Sequence, residues 1–134
     1  MMLEDILAAT RKRVRALEGR SFSPASREPR SLAAALSPAP GRNAVIAEVK
    51  FASPSSGQIL PPCPPEKIAW EFVLGGVCAV SVLTEPSFFG GSAESLARVR
   101  NAVEVPVLRK DFIIDPSQLD ETAALGADAV LLIA

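Results

Sequence analysis

The residues most able to do chemistry here are charges set at the ends of apolar runs. Val105–Asp115 reads V-P-V-L-R-K-D-F-I-I-D. This is a short strand, Val107-Leu108, running into Arg109-Lys110-Asp111, followed by an apolar flap, Phe112-Ile113-Ile114. Asp115-Pro116 then opens the next helix. A buried charge costs several kcal/mol unless it is paired or used. In an α/β protein the carboxyl ends of strands are where ligands and catalytic groups collect. Lys110 is therefore the first candidate. The competing reading makes Arg109 and Asp111 rim charges, with Lys110 paired to one of them. The chain has no His, so proton transfer at neutral pH falls to Lys, Glu, Asp or Cys with shifted pKa values.

A second set lies at the end of an earlier apolar run, Ala44–Val49. Glu48 and Lys50 are two residues apart and project from the same side of a strand. If the sheet closes into a barrel, Ala44, Ile46, Glu48 and Lys50 point inward, while Val45, Ala47 and Val49 face the helices. The same parity sends Leu108 and Lys110 inward. At similar heights, Glu48 would lie between two ammonium groups, ionised, with the nearer lysine protonated as a potential acid. The plainer alternative is a buried salt bridge without turnover. Ser53-Pro54-Ser55-Ser56-Gly57 has the hydroxyls and backbone N–H groups that suit an anion, and suits a surface turn equally. Phe88-Phe89, with Phe112, could wall an aromatic ligand or simply pack on the rim.

The intervening pattern says what positions these groups. Residues 3–19 form an amphipathic helix through Leu3, Ile6, Leu7, Val14 and Leu17, with the basic run Arg11–Arg15 read as a solvated face in preference to an anion site. Ser21–Arg30 reads as a loop, and Ser31 caps a short helix to Leu36 that Ser37-Pro38-Ala39-Pro40-Gly41 ends. Ala44–Val49 is a strand covered on both faces, and Phe51–Pro65 a long loop. Helix Glu66–Leu74 stops at Gly75-Gly76. Strand Val77–Leu83, loop Thr84–Gly91 and helix Ser92–Ala102 precede the opening strand. Helix Ser117–Leu125 stops at Gly126, and Ala129–Ile133 is a fourth strand. Strict β-α alternation implies a parallel sheet joined by crossovers. No G-x-G-x-x-G follows the first strand, which disfavours a dinucleotide fold. The expected class is α/β, half of a (β/α)₈ TIM barrel, since a whole one needs about 250 residues. Ending on an apolar strand would leave an open edge, so the chain is expected to be truncated relative to a complete barrel, with residues 44–134 as its first half.

Composition narrows the class. The 134 residues are 49% hydrophobic with a net charge of −1. That balance suits a globular protein and excludes a nucleic-acid binder or a disordered tail. No run of about 20 apolar residues spans a membrane. The start, M-M-L-E-D-I-L, carries acids where a secretory signal carries Lys or Arg. Cys63 and Cys78 have no metal-ligand spacing and read as free thiols in a reducing cytoplasm.

Three linked motifs carry a resemblance: I-A-E-V-K-x-A-S-P-S-x-G at 46–57, S-V-L-T-E-P-x-F-F-x-G-S at 81–92, and P-V-L-R-K-D-F-I-I-D-P-x-Q at 106–118. With G-A-D-A-V-L-L-I at 126–133 they closely resemble the indole-3-glycerol phosphate synthase family, in register from Val45 onward. The first 43 residues resemble its helical extension more loosely. The resemblance implies a (β/α)₈-barrel lyase of tryptophan biosynthesis, acting without cofactor or metal on a small anionic phosphorylated substrate. It would close and decarboxylate 1-(2-carboxyphenylamino)-1-deoxyribulose 5-phosphate to indole-3-glycerol phosphate, CO₂ and water. It further implies Lys110 as general acid, Lys50 holding the substrate carboxylate, and Glu48 positioning the lysines. Ser53 and Pro54 would shape the pocket, and Phe89 and Phe112 would flank the aromatic ring. Ser56 and Phe51 depart from the family's frequent basic residues. The family's second catalytic Glu, on the fifth strand, and its phosphate loops after strands seven and eight have no counterpart in these residues. The alternative is a non-catalytic half-barrel that self-associates through open strand edges. A phosphoribosylanthranilate isomerase is disfavoured, because it lacks the E-V-K…S-P-S signature.

Overall fold

The computed structural model describes residues 2–37 and 39–134. Pro38, expected within the segment that ends the short helix, lies outside the described residues. Helix α1 (Met2–Leu17) and the single turn α2 (Leu32–Ala35) precede the sheet. Strand β1 (Ile46–Val49) is followed by a small antiparallel hairpin, β2 (Ala52–Ser53) and β3 (Gly57–Gln58). Then come α3 (Pro65–Leu74), β4 (Ala79–Leu83), the one-turn α4 (Pro86–Phe89), α5 (Ala93–Ala102), β5 (Val107–Lys110), α6 (Ser117–Leu125) and β6 (Ala129–Val130). The main sheet has the order β1-β4-β5-β6, every pair parallel. Helices α3, α5 and α6 are the crossovers, as strict alternation predicts.

The helix limits follow from local chemistry. Ser31 and Ser92 accept the backbone N–H groups of Ala34 and Ser95 and start α2 and α5. Gly126 takes φ 81° after α6, the left-handed cap that a side chain resists. Gly91 is needed for a different reason. A Cβ there would stand 2.1 Å from the Leu83 carbonyl oxygen, so only glycine lets the α4–α5 junction lie on the end of β4.

The core lies between one face of the sheet and two helices. Val49, Val80, Val82 and Val107 meet Ala69 of α3 and Leu96, Val99 and Val103 around α5. Each fully buried Val or Leu contributes roughly 1.5–3 kcal/mol. Strand parity is as expected: Val49 and Val107 face the helices, while Ile46, Glu48, Leu108 and Lys110 line the concave face.

Four expectations are corrected. β1 is not covered on both faces: Ile46, on the concave side, is exposed, and only Val49, against the helices, is buried. The loop 51–65 contains the β2–β3 hairpin, and the loop 84–91 contains α4. β6 pairs only through Ala129 and Val130, although the Leu131 N–H still reaches the Arg109 carbonyl at 3.1 Å. Among the described residues no helix is long and apolar enough to cross a membrane. Cys63 and Cys78 are free thiols, as expected.

Candidate active site

β5 splits its charges between the two sides of the sheet. Lys110 shares the concave side with Leu108, and its Nζ lies 3.0 Å from Glu48 Oε2. The Ser81 hydroxyl donates to the same carboxylate oxygen at 3.0 Å. Register explains this, since Glu48 is paired with Ser81, and Ser81 with Leu108. The Lys110 side chain is 41% exposed and the Glu48 side chain 25%, so the ion pair contributes about 1 kcal/mol or less to stability. Lys50 does not bracket Glu48. Its ammonium sits instead over the Phe89 ring, 5.8 Å from the centroid.

Phe89 and Phe112 approach with ring centroids 6.2 Å apart and planes tilted by 32°. A small cavity of about 150 Å³ is lined by Lys50, Phe89, Lys110 and Phe112, together with Leu83, Asp111, Leu131 and Ile133. Four of the seven residues expected from sequence therefore converge on one hollow, and Glu48 reaches it through Lys110. Ser53 and Pro54 do not line it. Ser53 is buried in the hairpin, where its Oγ accepts the Ser56 N–H at 3.2 Å and pairs with Ser55 Oγ at 3.3 Å. That is a turn-forming arrangement. Phe51 packs against the core and Ser56 stays exposed on the turn.

The other two charges at this strand end are framework, not rim. Arg109 and Asp111 are 1% and 2% exposed. Arg109 donates to Thr84 Oγ1 (3.1 Å), Thr122 Oγ1 (2.9 Å), Glu121 (3.0 Å) and Asp111 (3.3 Å). Asp111 accepts Thr84 Oγ1 at 2.6 Å and the Phe112 N–H at 2.7 Å. Arg13 of α1 grips both Asp111 oxygens, at 2.8 and 3.0 Å. Burial pushes the Asp111 carboxyl up, but hydrogen bonds from Arg13 and Thr84, and the Arg13 charge, outweigh it and hold the group below the ordinary aspartate value. The basic run is thus not uniformly solvated: Arg13 turns inward. Among the described residues no cluster of His, Cys, Asp and Glu could hold a metal ion.

Sequence reasoning missed Ser81, Thr84, Glu85 and Arg13. Glu85 is fully buried and accepts the N–H groups of Ser87, Phe88 and Phe89, which fixes α4 and hence Phe89. The readable signals were a lone Ser inside an apolar strand and an acid just before a helix-opening Pro.

The family model described as indole-3-glycerol phosphate synthase matches residues 3–134. The chain belongs to the indole-3-glycerol phosphate synthase family. An indole-3-glycerol phosphate synthase of Methanopyrus kandleri is 50% identical over 135 residues, covering 98% of this chain and 52% of the relative. That of Geobacillus kaustophilus is 48% identical, covering 98% of this chain and 51% of the relative. A third, from Rhodopirellula baltica, is 54% identical over 90 residues, or 67% of this chain and 35% of the relative. The chain spans about half the length of the curated relatives it matches. The match puts the fold in the barrel class that the four parallel strands begin.

Proposed function

We propose that the chain supplies the N-terminal half of an indole-3-glycerol phosphate synthase site, with residues 1–43 as a helical extension and 44–134 as the first half of the barrel. The substrate would be 1-(2-carboxyphenylamino)-1-deoxyribulose 5-phosphate. The observation that carries this reading is the Lys110–Glu48 pair, 3.0 Å apart, beside an aromatic pair and a second lysine. As the ring carbon attacks the ribulose carbonyl, a C–C bond forms and the carbonyl oxygen takes a proton from Lys110 Nζ. Glu48, held by Ser81, keeps that ammonium over the cavity. Lys50 faces the substrate carboxylate, which leaves as CO₂ and returns its bonding electrons to the ring. The new hydroxyl then takes a second proton and departs as water while the adjacent CH₂ carbon gives up a proton to a base that the C-terminal half would supply. Phe89 and Phe112 flank the aromatic ring. Ser53 and Pro54 act more remotely, by shaping the hairpin that contacts α4, the turn that carries Phe89.

The test is an assay of the chain alone and joined to the C-terminal half of a family relative. Product formation by the joined protein, lost in Lys110→Ala, supports the proposal. A folded joined protein that makes no product, or an unimpaired Lys110→Ala, overturns it.

A further inference from the structure

We infer that Arg13, on α1, is a positioning residue: its guanidinium fork sets the Asp111 carboxylate and, through it, the backbone that presents Lys110 and Phe112 to the cavity. Resting on the proposed function, this assigns the N-terminal helix a part in that reaction. Asp111 lies between two residues of the site, and its Oδ1 accepts the N–H of Phe112 at 2.7 Å. The orientation of that carboxylate therefore fixes where the peptide after Asp111, which joins it to Phe112, points. Of the side chains on Asp111, Thr84 and Arg109 reach only Oδ2, at 2.6 and 3.3 Å. Arg13 alone spans both oxygens, at 2.8 Å to Oδ1 and 3.0 Å to Oδ2. Without it the carboxylate could turn about its remaining contacts and release the Phe112 N–H.

Arg13 is built to hold this place. Ile6, Thr10 and Leu17 are buried on the same face of α1, and Thr10 accepts Arg13 Nη2 at 3.2 Å while donating to the Ile6 carbonyl at 2.8 Å. Burial opposes the Arg13 charge, but Asp111 and then the charges of Glu85 and Glu121 outweigh it and raise its pKa. Glu85 is the carboxylate that fixes the Phe89 N–H at 3.1 Å. One cation of α1 thus balances the two buried acids that orient both aromatic walls. A bidentate Arg–carboxylate contact supplies direction as well as charge, so Lys would be an incomplete substitute.

The experiment uses the chain joined to the C-terminal half of a family relative, comparing Arg13→Met, Arg13→Lys and, as a control, Arg98→Met, which breaks only surface ion pairs with Glu66 and Glu94. Steady-state kinetics are read well below each melting temperature, together with amide hydrogen exchange. Arg13→Met should lower kcat about tenfold, the scale of a modestly misplaced catalytic group, with KM within about twofold. Arg13→Lys should recover part of the loss, and Arg98→Met should change nothing. The Phe112 amide should exchange faster in Arg13→Met while Val80 and Val82 stay protected. An unchanged kcat, or loss of protection across the whole sheet in step with activity, overturns the inference. If Arg13→Met does not fold, Arg13→Lys decides by the same two readouts. Should the parent protein make no product, the proposed function fails, yet the exchange comparison still decides whether Arg13 sets the Phe112 backbone.

Discussion

Lys110 and its two neighbours share one strand end and have opposite surroundings. Arg109 and Asp111 are almost inaccessible, and each meets several partners, drawn from α1, α6 and Thr84 just after β4. Lys110 is 41% exposed, holds one ion pair and borders a cavity. The alternation of a strand places them so, because residues 109 and 111 face the helices while 110 faces the concave side. What separates the framework pair from the proposed acid is partner saturation, not charge. A carboxylate that accepts five hydrogen bonds has no capacity left for a substrate, whereas an ammonium with one partner does.

The comparison can be broken from the framework side first. Asp111→Ala strands Arg13 beside Arg109 in the interior and should remove about 3–4 kcal/mol of stability, the scale of a broken buried pair, read from urea unfolding midpoints. A loss below about 1 kcal/mol, that of an ordinary surface pair, would show that the cluster is not saturated. On the other side, Ser81→Ala removes a single donor to Glu48. It should cost about 1 kcal/mol of stability and shift kcat more than KM, since the ammonium beside Glu48 is then less well held. Equal effects on both constants would place Ser81 in binding instead.

Acid titration sharpens the same contrast. Asp111 is depressed below the ordinary value of 3.8 when folded. Its contribution is therefore fully present above about pH 3.8 and lost as pH falls through the lower folded value. Asp111→Asn should flatten that part of the acid limb; an identical pH profile would contradict the assignment. The smallest effect is expected from Arg98→Met at the exposed pair with Glu66, where no measurable change in midpoint is predicted.

Much of this was legible from residue pattern. Apolar runs with β-α alternation located the four parallel strands, and parity alone put Glu48 and Lys110 on one face. Serine caps and Gly126 marked helix limits. What escaped was held together at short range or at long distance. The β2–β3 hairpin has strands of two residues, too short for a periodic signal, and α4 is one turn fixed by Glu85 rather than by an amphipathic face. Arg13 was hidden in a basic run, although it lies seven residues after Ile6 and three after Thr10, on the buried stripe. Burial of Asp111 depends on an arginine 98 positions away, which no local pattern encodes. Coverage of β1 was overestimated because an apolar run does not reveal whether anything packs over the concave side, where Ile46 is exposed.

Lys110, as the proposed acid, is left free because its neighbours carry the structure. The most direct test is Lys110→Met in the chain joined to a C-terminal half from the family, which keeps the stem and removes the charge. The account predicts a fall in kcat of at least ~100-fold, the usual scale for a general acid, with the melting temperature almost unmoved. A loss below about tenfold, or a collapse in stability like that of Asp111→Ala, would contradict it.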